Sequence, residues 1–306
     1  MLLASLSNES SCLQIFCGTP GPIPETDKFS LHIPTPRRNS SGADIHNLGE
    51  PGENWAVGKT VRALFRCTSS RRFEILVHVA QVDFSYVYVA DADKDTAASI
   101  NAKLAGGLHV VMSPGLYQLE DTLMLRTNGQ VLLGLGIATL IPTHGTAAVT
   151  VAAGTTGVRV AGLLLQAGTV RSDTLLMWEG HGEATPTDSD HGFIHDVFAR
   201  VGGPRLPPNK QAMADSMMRI DASGVVGDNM WLWRADHSQG GELVENGANP
   251  CFNGLIVNGD DVTMYSLAAE HTLEDVLRWN GERGRTFFFQ AELPCAHTPN
   301  FCLLLC

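Results

Sequence analysis

Gly129-Gln130-Val131-Leu132-Leu133-Gly134-Leu135, Gly157-Val158-Arg159-Val160-Ala161-Gly162-Leu163 and Asp261-Val262-Thr263-Met264-Tyr265-Ser266-Leu267 are three versions of one phrase. Each pairs a polar or glycine start with a short apolar run. The first two valines stand 27 residues apart, Val158 and Val225 stand 67 apart, and Val225 and Val262 stand 37 apart. A period of roughly 20 to 50 residues is the signature of a solenoid, in which one repeat cannot bury its apolar face alone and stacking does so. The uneven later spacings predict coils that carry insertions.

Working outward, the texture between these phrases is β-like. Brief runs of apolar and β-branched residues at Leu108 to Met112, Thr122 to Leu125, Gln130 to Leu133, Ala147 to Val151, Val158 to Leu165 and Thr174 to Trp178 are separated by Gly, Asn, Asp or Pro. Upstream, Phe84 to Val89 reads as a strand, and a short amphipathic helix is expected from Asp95 to Leu104. Asp95 is its expected cap, Ile100 and Leu104 share a face, and Gly106-Gly107 stop it. Residues 1–72 are rich in Ser, Pro, Asn and Gly and read as an irregular segment; residues 73–294 form the β domain, and residues 295–306 an apolar tail. The same pattern also fits a β-sandwich, and the imperfect repeat favours the solenoid.

Composition agrees with one large all-β core: 44% of the 306 residues are hydrophobic, 17% are charged and 31 are glycine. The formal charge of −11 opposes binding to phosphate backbones, and Arg37-Arg38 and Arg71-Arg72 are too small to offset it, so no nucleic-acid partner is expected. No apolar run reaches the roughly 20 residues of a membrane span. Met1 to Leu6 lacks the basic start of a secretory signal, and Asn8-Glu9-Ser10 and Asn39-Ser40-Ser41 match a glycosylation pattern short enough to arise by chance. The seven cysteines, at 12, 17, 67, 251, 295, 302 and 306, leave the β domain free of any dependence on disulfides and show no zinc spacing. No metal and no cofactor is expected.

The run Asp95-Thr96-Ala97-Ala98-Ser99-Ile100-Asn101, then Gly106-Gly107 and Val110-Val111-Met112-Ser113-Pro114-Gly115-Leu116-Tyr117, resembles the opening of pectate-lyase-like right-handed parallel β-helix proteins, where a capping helix precedes the first coil. Val131 to Gly136, Trp231-Leu232-Trp233-Arg234-Ala235-Asp236-His237 and Asn258-Gly259-Asp260-Asp261-Val262 look like a branch of that superfamily similar to the β-helical exo-β-1,3-glucanases. The resemblance covers about two thirds of the chain, from near Phe84 to near Pro294. It implies an all-β, single-stranded parallel β-helix and a carbohydrate partner, and it leaves the reaction open, because lyases, hydrolases, epimerases and tailspikes share the fold. Some relatives carry an adenylyl-cyclase label, for which no nucleotide or metal motif is present. Asn300 to Cys306 ends where such relatives would be expected to continue through further coils, and residues 1 to about 70 match nothing in the family. A remnant of a longer enzyme is therefore a third reading beside hydrolase and binding protein.

Alternation in Asp228 to His237 puts Met230 and Leu232 on one side and Trp231 and Trp233 on the other. Outward indoles would give a stacking surface for sugar rings, whose C–H faces suit a rigid apolar plate. The plainer reading is that they cover a loop or a subunit. Asp236 and His237 end this strand, Glu270 and His271 end the next, and Glu292 ends the one after. Aligned coils would bring these acids together, and glycoside hydrolysis needs two carboxyl groups roughly 5 to 10 Å apart. The plainer reading of each acid is a turn closure, which fits Asp260-Asp261 best. His191 and His195, with Asp190 and Asp196, are a possible metal cluster, but no third ligand stands at fixed spacing and the plainer reading is solvated loop residues. Lyases of the superfamily commonly use Lys or Arg as base, and between Gly129 and Gly281 only Lys210 and seven scattered arginines occur.

The expectation is thus a glycoside hydrolase on a neutral β-glucan, extracellular or at the cell surface. Its catalytic candidates are Asp236, His237, Glu270, His271 and Glu292, and its sugar-binding candidates Trp231, Trp233, Arg234, Tyr265 and Trp279. A polysaccharide lyase using Arg234 or Arg278 and a non-catalytic glycan-binding surface protein are the alternatives.

Overall fold

The structure, a computed structural model, describes residues 82–180, 191–238, 244 and 247–294, together with the backbone of three short strands nearer the N-terminus. Those strands, β1 (Cys12–Ile15), β2 (Phe29–His32) and β3 (Val61–Arg62), form an antiparallel sheet in that order within the segment read as irregular. The apolar tail from residue 295 lies outside the described residues. The chain divides into two compact units, Met1–Tyr88 and Val89–Cys306.

The second unit is a parallel β-helix. Its helix α1 (Ala97–Ala105) buries Ala97, Ile100 and Leu104. Thr96, rather than Asp95, is the cap: its hydroxyl accepts from the Ser99 amide while the Ser99 hydroxyl accepts from the Thr96 amide, a reciprocal capping box. Asp95 instead accepts from the Ser99 hydroxyl and the Asp91 amide and closes the preceding turn. Phe84 to Tyr86, read as part of a strand, is a 3-10 turn whose Ser85 amide donates to the Asp83 carboxylate, and the strand β4 (Val87–Ala90) follows. Buried Gln130 ties the helix end to the coil above by donating to the Leu104 and Leu108 carbonyls.

After β5 (His109–Met112), β6 (Leu116–Leu119) and β7 (Leu123–Leu125) come β8 (Val131–Pro142), β9 (Val149–Val151), β10 (Arg159–Gln166) and β11 (Ser172–Trp178). Then follow β12 (Gly192–His195), β13 (Phe198–Val201), β14 (Ala214–Ile220), β15 (Val225–Arg234), β16 (Cys251–Val257), β17 (Thr263–Glu270), β18 (Leu277–Trp279) and β19 (Arg285–Glu292). The larger sheet runs β19-β17-β15-β12-β10-β8-β5, with β13 and β6 alongside, and the smaller runs β18-β16-β14-β11-β9-β7. Every pairing is parallel, as stacked coils require.

Register corrects the sequence repeat by one residue. Leu132 pairs with Val160, 28 residues on, so the buried positions coincide where the valine-to-valine match would have placed an outward residue over an inward one. The interval from Val158 to Val225 holds one further complete coil, β12 to β14, rather than an insertion. Sequence pattern missed it because β12 and β13, parted at Asp196, are four residues each.

Inward columns such as Leu163-Val197-Met230-Leu267 and Leu165-Ala199-Leu232-Ala269 are at most 2% exposed. Burying one such Leu or Met contributes about 2 kcal/mol, so stability accrues along the stack. In the larger sheet Asp196, Asn229, Ser266 and Phe288 occupy one register position with φ between 51° and 59°, beside Gly162 at 68°. This left-handed column bends the coils from β10 to β19 at the same height, and its side chains join the outer face. Asn229 donates to Asp196 across the bend.

Candidate active site

The outer face of the larger sheet carries most of the candidate side chains. Met230 and Leu232 are buried and Trp231 is 45% exposed, so the alternation puts both indoles outward. Trp231 and Trp233 stack with centroids 5.6 Å apart, and Trp233 meets the His237 ring at 5.2 Å. One and two coils down the face, Tyr265 and Phe287 stack at 5.0 Å. Parallel register aligns them: Asp228 pairs with Tyr265 and Tyr265 with Phe287, while Trp231 pairs with Ala268 and Trp233 with Glu270.

Trp233, Glu270 and Glu292 therefore occupy one column on successive coils. All five candidate catalytic side chains converge there. Glu270 and His271 are each 7% exposed, whereas Glu292 is exposed. Consecutive strand residues normally point to opposite faces. His271 escapes that rule with a φ of 60°, which keeps its ring beside Glu270. Its Nε2 lies 3.3 Å from a Glu292 oxygen, and one ligand atom from each of Glu270, His271 and Glu292 falls within 4.8 Å of the other two.

Asp236 and His237 form the neighbouring pair, with 2.7 Å between Oδ1 and Nδ1. Burial pushes the Asp236 carboxyl up, but the hydrogen bond from His237 and the nearby His271 charge outweigh it and hold the group below its ordinary value. Asp236 stays ionised across the neutral range.

Two candidates stand elsewhere. Arg234 is 4% exposed and points inward; its guanidinium donates to the carbonyls of Asn249 at 3.1 Å, Ala248 at 2.6 Å and His271 at 3.1 Å. Its place in the strand puts it on the buried side, one residue past Trp233, so it fastens the site from behind and is not presented to a ligand. Trp279 lies on the smaller sheet, where it continues the inward column of Val151, Trp178, Ile220 and Val257 and packs over Gly284. Arg278 is spent on Asp275 and Glu274.

Sequence reasoning named His195 and Asp196 but missed Asp228, which joins them in a second cluster on the same face. Asp228, buried at 5%, lies 3.9 Å from the His195 ring, and Asp196 sits one position along on the coil above. Burial raises the Asp196 carboxyl, the hydrogen bond from Asn229 opposes this, and Asp228 adds to it. The signal lay in the alignment of His195-Asp196 with Asp228-Asn229, which only the unrecognised coil reveals.

The chain matches the family model described as the LAM55 pectate lyase-like domain over residues 87–292. It is 36% identical over 266 residues to an exo-beta-1,3-glucanase of Streptomyces sp. (strain SirexAA-E / ActE), a match covering 87% of this chain and 38% of that protein. Its structure is similar to sacteLam55A from Streptomyces sp. SirexAA-E, with TM-score 0.64 and 33% identity over 70% of this chain and 38% of that one. A variant of sacteLam55A in complex with glucose matches with TM-score 0.64 and 32% identity, over 71% and 38% of the two chains. The chain thus spans about two fifths of the length of these relatives.

Proposed function

We propose a function for this chain from one premise: it belongs to the LAM55 pectate lyase-like family. It engages β-1,3-glucan along the outer face of the larger sheet and acts as a glycoside hydrolase. The observation that carries this reading is the convergence of the Trp231-Trp233-His237 stack with Asp236, Glu270 and Glu292. The indoles offer flat apolar faces to successive glucose rings. One carboxylate oxygen of Glu270 lies within 4.8 Å of one of Glu292, so two carboxyl groups face a common point, as glycoside hydrolysis by a pair of carboxyls requires. The glucanase identity and the glucose complex of the relatives support the substrate class.

The lyase alternative loses its residues, because Arg234 is buried on carbonyls and Arg278 is ion-paired. Glucan binding without turnover is the second reading, favoured by one observation: Asp236 and Glu292 are each held by a histidine. A neutral polysaccharide also fits an extracellular or surface location, which detection of the tagged chain in culture medium would test.

The deciding experiment incubates purified protein with laminarin, xylan, pectate and alginate. Reducing ends from laminarin alone, lost in Glu270→Gln and Glu292→Gln, are expected. Laminarin retention with no product gives the binding reading, and release of unsaturated products overturns both.

A further inference from the structure

We infer that Glu270, His271 and Glu292 form a binding site for a divalent transition-metal cation. Three observations carry it. The three side chains present two carboxylates and one imidazole with their donor atoms mutually within 4.8 Å, the span of ligands around a single ion. Glu270 is more than nine-tenths buried, and its carboxylate has no hydrogen-bond or ion-pair partner among the described residues. A carboxylate is an acceptor only, and with no protein donor on it its oxygens are available to a cation at that point. His271 is buried to the same degree: its Nε2 faces Glu292, and its Nδ1 is unsatisfied among the described residues.

The donor set selects the ion class. One imidazole with two carboxylates suits Zn²⁺, Mn²⁺ or Co²⁺, while Ca²⁺ and Mg²⁺ prefer an all-oxygen set. The exposed Glu292 side leaves coordination positions open to water or to a sugar diol. The geometry arises from register and not from local spacing. Glu270 and Glu292 stack directly, and the left-handed backbone of His271 adds the third donor.

This assignment deepens the glucan reading of the same site and rests on it only for one consequence: a bound cation takes the two carboxylates away from proton transfer, so loading inhibits hydrolysis. Cation binding itself is independent of that reading.

The test uses the full chain stripped with EDTA and dialysed, titrated calorimetrically with MnCl₂ and ZnCl₂, with CaCl₂ and MgCl₂ as comparisons. Mn²⁺ is the decisive probe, because the chain's seven cysteines offer Zn²⁺ other ligands. One equivalent of Mn²⁺ is expected, with binding at least about tenfold weaker in Glu292→Gln and in His271→Asn. Asn tolerates the left-handed backbone at 271, so this variant keeps the fold. An unchanged Mn²⁺ affinity in both folded variants, or no Mn²⁺ binding by the parent chain, overturns the site. Hydrolysis unaffected by bound Mn²⁺ would remove the inhibitory consequence and leave the site standing. Mn²⁺ binding without hydrolysis in any state would sink the hydrolase reading alone.

Discussion

Replacing Arg234 with alanine is expected to cost stability rather than to remove a sugar contact. The guanidinium satisfies three carbonyls, those of Asn249, Ala248 and His271, from a position 4% exposed. Each hydrogen bond to a charged donor contributes about 1.5 to 3 kcal/mol. Removing the arginine also recovers its desolvation cost, so the net loss should be about 3 kcal/mol. For a domain of this size that lowers Tm by about 6 to 12 °C. Arg234→Lys, whose single ammonium cannot span three carbonyls, should lose about half as much. Urea unfolding followed by circular dichroism, beside laminarin titrations of the folded variants, separates the two roles. A variant as stable as the parent chain but at least tenfold weaker for laminarin would refute the burial argument and return Arg234 to the binding surface.

Further expectations follow from the same packing. Gly259→Ala drives a Cβ into the Ala222 carbonyl of the coil above and should destabilise by about 1 to 3 kcal/mol in urea unfolding. Burial pushes the Cys251 thiol up to about 12, so native protein should leave it unmodified by iodoacetamide at pH 8 and urea should expose it, as mass spectrometry of labelled peptides would report. The raised Asp196 carboxyl contributes stability that is present below its unfolded value, near pH 4, and lost as pH rises through its folded value. Asp196→Asn should therefore flatten the decline in stability between pH 4 and 7, and an unaltered slope would exclude Asp196 as its source.

Much of the β-helix was readable because stacking repeats one problem: each coil needs apolar residues at inward positions, and Leu132, Val160, Met264 and their neighbours record that need locally. Capping was half legible. The stop at Gly106-Gly107 and the face of Ile100 and Leu104 were clear, but Asp95 and Thr96 compete for the same role, and geometry gives it to Thr96 because its hydroxyl reaches the Ser99 amide. The β12 to β14 coil was invisible because a left-handed residue parts β12 from β13, pieces too short to alternate.

At the site, outward Trp231 and Trp233 followed from period-two alternation. Arg234 and Trp279 misled for the same reason in reverse: their chemistry suits a ligand, while their register puts them inside. Glu270 and Glu292 were legible as strand-end acids on aligned coils, whereas the place of His271 beside them was not, since it depends on one positive φ.

The central claim is that glucan lies along the Trp231-Trp233 face. Its most direct test is the calorimetric affinity of laminarioligosaccharides for the parent chain, Trp231→Ala, Trp233→Ala and, as an inward control, Trp279→Phe. Each outward variant is expected to lose about 1 to 2 kcal/mol, a roughly five- to thirtyfold weakening, with the control unchanged. Equal affinity in all four proteins would contradict the account.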